Sequence, residues 1–242
     1  MLIATQGLVL HTIPNSESSV IAKIFTEKLG LRSYILKGVR KTGSHVKQNM
    51  LKPLSWLDMV VYDNPKTSIN YIKEVSMANI PSHGENAVTN SILFFMDELL
   101  YRTLHEGEPM PQLFGYVTEQ VKSLSDNPNP NPAMPISFLL TTAKLLGIAP
   151  LDNYSIQEPF FNLVEGRYVA SAATENIADI VDIHLSGVLH NYLESVYGEE
   201  AMPIYPQGTR TAIINTLIDY YKIHVNYFGK FTSHEILHMV LA

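Results

Sequence analysis

The stretch Ser19–Val39, SVIAKIFTEKLGLRSYILKGV, carries two short apolar runs on either side of Gly30. β-branched and aromatic residues fit a pleated surface, and a glycine supplies turn conformations that other residues resist. The stretch therefore reads as two strands, Ser19–Lys28 and Leu31–Val39. Leu2–Thr12 reads as a strand before them, and Leu54–Tyr62 and Ile69–Met77 as two more after them, with breaks at Pro14–Ser18 and Asp63–Lys66. Alternation along these runs is imperfect, because several carry apolar residues on both faces. Five short strands in under 80 residues suit a small closed barrel of the OB type. Periodicity equally allows an SH3-like barrel or a sandwich.

After Met77 the period changes. Ile92, Phe95, Met96, Leu99, Leu100 and Leu104 recur at helical spacing. Met110–Leu124 and Ile136–Leu146 predict two further helices, separated by Asp126–Pro135, DNPNPNPAMP, whose four prolines enforce a loop. Pro159–Ala170, PFFNLVEGRYVA, reads as a hairpin turning near Glu165 and Gly166. Helices resume over Ile180–Val196 and Thr211–Tyr227, the latter with Ile214, Leu217, Ile218, Tyr221 and Val225 on one face, and a short one starts at Ser233. There is no internal repeat. The expected class is α+β: a five-stranded OB-type barrel over 1–79, then a mostly helical domain over 80–242 with a small hairpin insertion around 159–170.

Composition narrows the function. The 242 residues are 46% hydrophobic, enough to bury real cores, and include no cysteine. That excludes disulfides, thiolate metal sites and cysteine nucleophiles, and suits a reducing compartment. Met1–Pro14 lacks the basic start of a signal peptide, and no run approaches the roughly 20 apolar residues of a membrane helix. A cytoplasmic protein without membrane contact is expected. The net charge of -6 hides a split. Residues 1–79 hold 10 lysines and arginines against 5 acids, and residues 80–242 hold 7 against 18, so +5 faces -11. Such asymmetry points to a polyanion held by the basic part.

Between Glu27 and Asp58 there is no acidic residue, yet Lys28, Arg32, Lys37, Arg40, Lys41, Lys47, Lys52 and His45 all fall there. Cations spaced along a groove neutralise phosphates and release condensed counterions, and aromatic rings on a barrel give bases a surface to stack on. The candidate DNA-binding set is Arg32, Lys37, Arg40, Lys41, Lys47 and Lys52, with Tyr34. Phe25, Trp56 and Tyr62 are further aromatics. The plainer account is a solvated basic loop over an aromatic core, and Trp56, between Leu54 and Leu57, fits a core position.

His234-Glu235-Ile236-Leu237-His238 matches the H-E-x-x-H pattern of zinc proteases. Such a zinc needs a third protein ligand, and only Met239, Val240, Leu241 and Ala242 follow. Thr232-Ser233-His234-Glu235 also fits a helix capping box. No phosphate-cradling or nucleophile-elbow motif is present. His184 and His190, six apart, share no helix face well. No catalysis, metal or other cofactor is expected.

Several stretches resemble the RecO family, in the form found in Bacteroidetes. They are Gly7-Leu8-Val9-Leu10-His11-Thr12 with Glu17-Ser18, Ile24-Phe25-Thr26-Glu27-Lys28-Leu29-Gly30, Lys37-Gly38-Val39-Arg40 and Leu51–Asp58. The helical part adds Glu98-Leu99-Leu100-Tyr101-Arg102, Pro111-Gln112-Leu113-Phe114 and Leu145–Pro150. Near the end, Tyr220-Tyr221-Lys222-Ile223-His224 and Ser233–Leu237 match as well. No single motif is very specific, but their order and spacing together are.

The resemblance implies an N-terminal OB barrel and a helical domain. It implies binding to single- and double-stranded DNA and annealing of complementary strands. It also implies association with RecR, contact with the acidic C-terminal tail of single-stranded DNA-binding protein, and indirect help to RecA loading. Many relatives carry a four-cysteine zinc module where this chain has residues 153–173 without cysteine. The hairpin is expected there instead, held by Phe160, Phe161, Leu163, Tyr168 and Val169 without zinc. A different function remains open: an adaptor without direct DNA contact, working through the helical domain, with Arg102, Lys144 and Arg210 as partner-binding cations and Lys122 as a further candidate.

Overall fold

The computed structural model describes residues 1–39, 48–64, 66–78, 86–127, 129–170 and 177–240. The strands Leu2–Pro14 (β1), Val20–Thr26 (β2), Gly30–Leu36 (β3), Trp56–Tyr62 (β4) and Ile69–Met77 (β5) close into a barrel in the order β1-β2-β3-β5-β4. All neighbours are antiparallel except β3 and β5, which run parallel. The closed five-strand order is that of an OB-type barrel. Closure leaves no open sheet edge. The interior is filled by Val9, Val20, Ala22, Ile24, Tyr34, Leu36, Leu57, Met59 and Val61.

Two local features set strand ends. Gly30 has φ +67°, and a side chain there would meet the backbone carbonyls of Gly107 and Glu108. The turn between β2 and β3 thus requires glycine for conformation and for space. The strand expected from Leu54 starts at Trp56, because Leu54 sits at φ +56° and its N–H donates to the Val9 carbonyl at 2.7 Å. A left-handed residue cannot continue a β ladder.

Ala87–Thr103 (α1) begins where the Asn86 side chain accepts from the N–H groups of Val88 and Thr89. Pro111–Asp126 (α2) follows, with proline at its start, where a missing N–H costs nothing. These helices belong to the same compact unit as the barrel, residues 1–128.

The second compact unit, residues 129–242, holds Met134–Leu145 (α3), the hairpin strands Phe160–Asn162 (β6) and Arg167–Val169 (β7), Ile183–Tyr197 (α4), Gln207–His224 (α5) and Ser233–Val240 (α6). Helix α4 starts three residues later than the sequence suggests, because Asp182 caps it by accepting from His184 and Leu185. Compactness thus groups α1 and α2 with the strands, although the change from strand to helix falls between Met77 and Ala87.

Candidate nucleic-acid interface

The outer surface of the barrel is built in rows, because residues paired across a ladder point to the same side. Trp56, Leu8, Phe25 and Leu31 form one outward row across β4, β1, β2 and β3. Phe25 is 0% exposed and packs edge-on against Phe114 of α2, with ring centroids 5.5 Å apart. Leu8 and Leu31 are buried with it. Next comes His11, Lys23 and Ser33. The Ser33 hydroxyl donates to Glu106 at 2.8 Å, and His11 packs against Tyr101 of α1 with ring centroids 4.8 Å apart. Burial, then the charges of Lys23 and Arg102, hold the His11 imidazole below its ordinary value.

A third row runs round the barrel: Ile13, Ile21, Ile35, Tyr71, Tyr62 and Leu2, each paired to the next. Ile21 and Ile35 are half-buried, and the other four are exposed. Tyr62 and Tyr71 stand directly opposite one another, 47% and 50% exposed. They border a groove of about 710 Å³ lined also by Ile35, Lys37, Lys73 and Glu74. The Lys37 ammonium lies 5.3 Å from the centre of the Tyr71 ring, within cation–π range. Lys73 pairs with Glu74 at 3.2 Å. This face offers cations for phosphate beside open aromatic rings.

The residues singled out from sequence do not all meet there. Lys37 does. Arg32 stands opposite Ile24, on the interior side of β3, and is half-buried. Lys52 is exposed just before β4. Arg40, Lys41 and Lys47 lie outside the described residues. Tyr34 corrects the sequence reading: it is 0% exposed inside the barrel, so its ring is core and offers no stacking surface. Burial, aided by the charge of Asp63, pushes its phenol above the ordinary value. Tyr71 escaped sequence reasoning. The signal for it is its register opposite Tyr62, which only the pairing reveals.

In the other candidate set, Arg102 pairs with Glu98 at 3.4 Å within α1, in the first unit. Lys144 and Arg210 belong to the second. Lys144 lies over the Tyr197 ring at 5.3 Å, and Arg210 donates to the Tyr205 carbonyl at 2.6 Å.

The hairpin is held by packing and by side-chain hydrogen bonds, among them that of the Phe161 N–H to the Ser186 hydroxyl at 3.0 Å. Phe161 and Tyr168 are buried and meet edge-on at 5.1 Å. Asn153 accepts from the Tyr168 N–H at 2.8 Å and donates to the Tyr168 carbonyl at 3.0 Å, reproducing a strand partner. His190, stacked on Tyr154, lies 2.8 Å from Asp152. At α6, the His238 ring nitrogens lie 3.3 Å from Thr211 Oγ1 and 3.4 Å from Asn215 Oδ1. Among the described residues no group of three or more His, Asp or Glu side chains is placed to hold a metal. No helix among them is long and apolar enough to cross a membrane.

The family model for the recombination protein O N-terminal region matches residues 1–81, and that for its C-terminal region matches residues 84–154. The chain belongs to the RecO family. The DNA repair protein RecO of Flavobacterium psychrophilum is 27% identical over 248 residues, spanning 100% of both chains. Those of Azobacteroides pseudotrichonymphae and Porphyromonas gingivalis are each 24% identical, over 99% and 98% of both chains. In this RecO-family chain the barrel coincides with the first matched region, and the likeness to these relatives extends through the second unit.

Proposed function

We propose that this RecO-family chain is a cytoplasmic DNA repair protein that binds single- and double-stranded DNA and anneals complementary strands. With RecR it assists RecA loading on DNA covered by single-stranded DNA-binding protein, whose C-terminal tail it contacts. The observation that carries the reading is end-to-end similarity to proteins named DNA repair protein RecO. The Lys37 face of the barrel and the acid-free window from Lys28 to Leu57 support it physically.

The chain works without catalysis on this reading. Annealing needs two phosphate backbones brought together against their repulsion, with base edges left free to pair. Lysines and arginines in the window supply the neutralising charge. Reversing Lys37, Arg40, Lys41 and Lys47 together to Glu is expected to abolish DNA binding while leaving the thermal melt intact. Anisotropy titration of labelled DNA across salt reads this. The parent protein should show affinity falling steeply with salt, with a logarithmic slope near -0.7 per neutralised phosphate on a single strand. Unchanged affinity in the reversed variant would remove the window from the interface.

A further inference from the structure

The third row of the barrel, open where the first is covered, has no packing task that accounts for its aromatics. Two large rings left half exposed keep apolar surface in water that the cross-strand pair and one cation–π contact only partly offset. The charge beside them is positive: Lys37 stands over Tyr71, and Glu74, the one carboxylate lining the groove among the described residues, is held by Lys73. Ile35 and Ile21 continue the apolar surface along the same row.

We propose that Tyr62 and Tyr71 form a two-ring platform on which the bases of an unpaired strand stack, and that this platform makes the barrel prefer single-stranded over duplex DNA. The inference rests on the reading of the chain as DNA-binding and names what that site selects. Directly opposed residues in a ladder have Cβ atoms about 5 Å apart, which puts both rings within reach of neighbouring bases of one strand. Lys37 then exchanges the ring face of Tyr71 for a phosphate, and the base takes the place of the ammonium. A duplex cannot do the same, because its base faces are already covered by their neighbours. Phosphate contact is shared by both forms of DNA, but ring contact is open to one alone.

The test is anisotropy titration of a labelled oligothymidylate and a labelled duplex of equal length, across salt, with three proteins. Y62T/Y71T removes the rings and keeps β-branched strand formers; Y62F/Y71F keeps the rings. The threonine pair is expected to weaken single-strand affinity about tenfold to a hundredfold, leave duplex affinity within about twofold, and leave the salt slope unchanged. The phenylalanine pair should bind both as the parent does. Equal loss on both DNAs, or full single-strand affinity in a folded threonine variant, overturns the proposal. The second of these is also what a protein-docking role for the row predicts. If the double variant melts early, Y71T alone is read by the same criteria. A parent protein that binds neither DNA sinks the DNA-binding reading itself, whereas a parent that binds in a salt-dependent way with an indifferent threonine variant sinks only the platform.

Discussion

Leu8, Phe25 and Leu31 on one side, and Ile13, Ile21, Ile35, Tyr71, Tyr62 and Leu2 on the other, are rows of the same kind on the same barrel. Both point away from the interior and both are apolar. The first lies under α1 and α2, so its members have become core. The second keeps four of six members exposed. The difference is not written in residue type. It comes from which row the following helices cover, and it separates apolar surface that has joined the core from apolar surface left in water.

Breaking the covered row should have the largest effect. Phe25→Ala removes a fully buried ring from the contact with Phe114, and a loss of about 3–5 kcal/mol is expected. Denaturant unfolding measures it, and a loss below that of an ordinary surface change would contradict the assignment of this row to the core.

The covering helix also carries a titration. Asp97 in α1 is buried, and among the described residues its Oδ1 has no hydrogen-bond partner. Burial holds the carboxyl well above the usual carboxylate range; the nearby Leu54 backbone opposes the rise and Glu98 adds to it. The folded state therefore keeps a proton that the unfolded chain releases near pH 4, so Asp97 makes stability decline as pH rises from there through its folded value. Asp97→Asn, neutral throughout, should flatten that part of a melting-temperature profile. Parallel profiles for the two proteins would show that the carboxyl is ionised at no cost.

The smallest effect belongs to the open row. Ile13→Thr keeps a β-branched strand former, so a stability change within about 0.5 kcal/mol is expected. A drop of several times that size would show that something covers the row, and the contrast between rows would vanish.

The sequence made the barrel legible because Gly30 and the prolines punctuate the strands. The imperfect alternation also had a physical cause. In β1 to β3 the outward residues Leu8, Phe25 and Leu31 are buried by helices, so both strand faces carry apolar residues. That same duplication hid which aromatics are accessible. Tyr34 and Tyr71 look alike in sequence, yet one fills the interior and the other faces solvent. Helix starts were less legible, since they follow single side chains such as Asp182. The grip of Asn153 on Tyr168 joins residues fifteen apart through a loop, and no local pattern announces it.

The ladder between β4 and β5 passes from Val61↔Ile72 to Val60↔Glu74, leaving Lys73 as an extra residue. An extra residue in a strand would ordinarily invert everything beyond it; here the bulge absorbs it, so Ile72 and Val75 both turn inward and Tyr71 stays outside. Lys73 or Glu74 is thus a position where evolution could shorten the chain by one residue without turning the strand inside out, whereas losing Ile72 or Val75 would exchange an oily side chain for a wet one. Length variation among homologous barrels should be tolerated at these two positions and purged at Ile72 and Val75, which flank them.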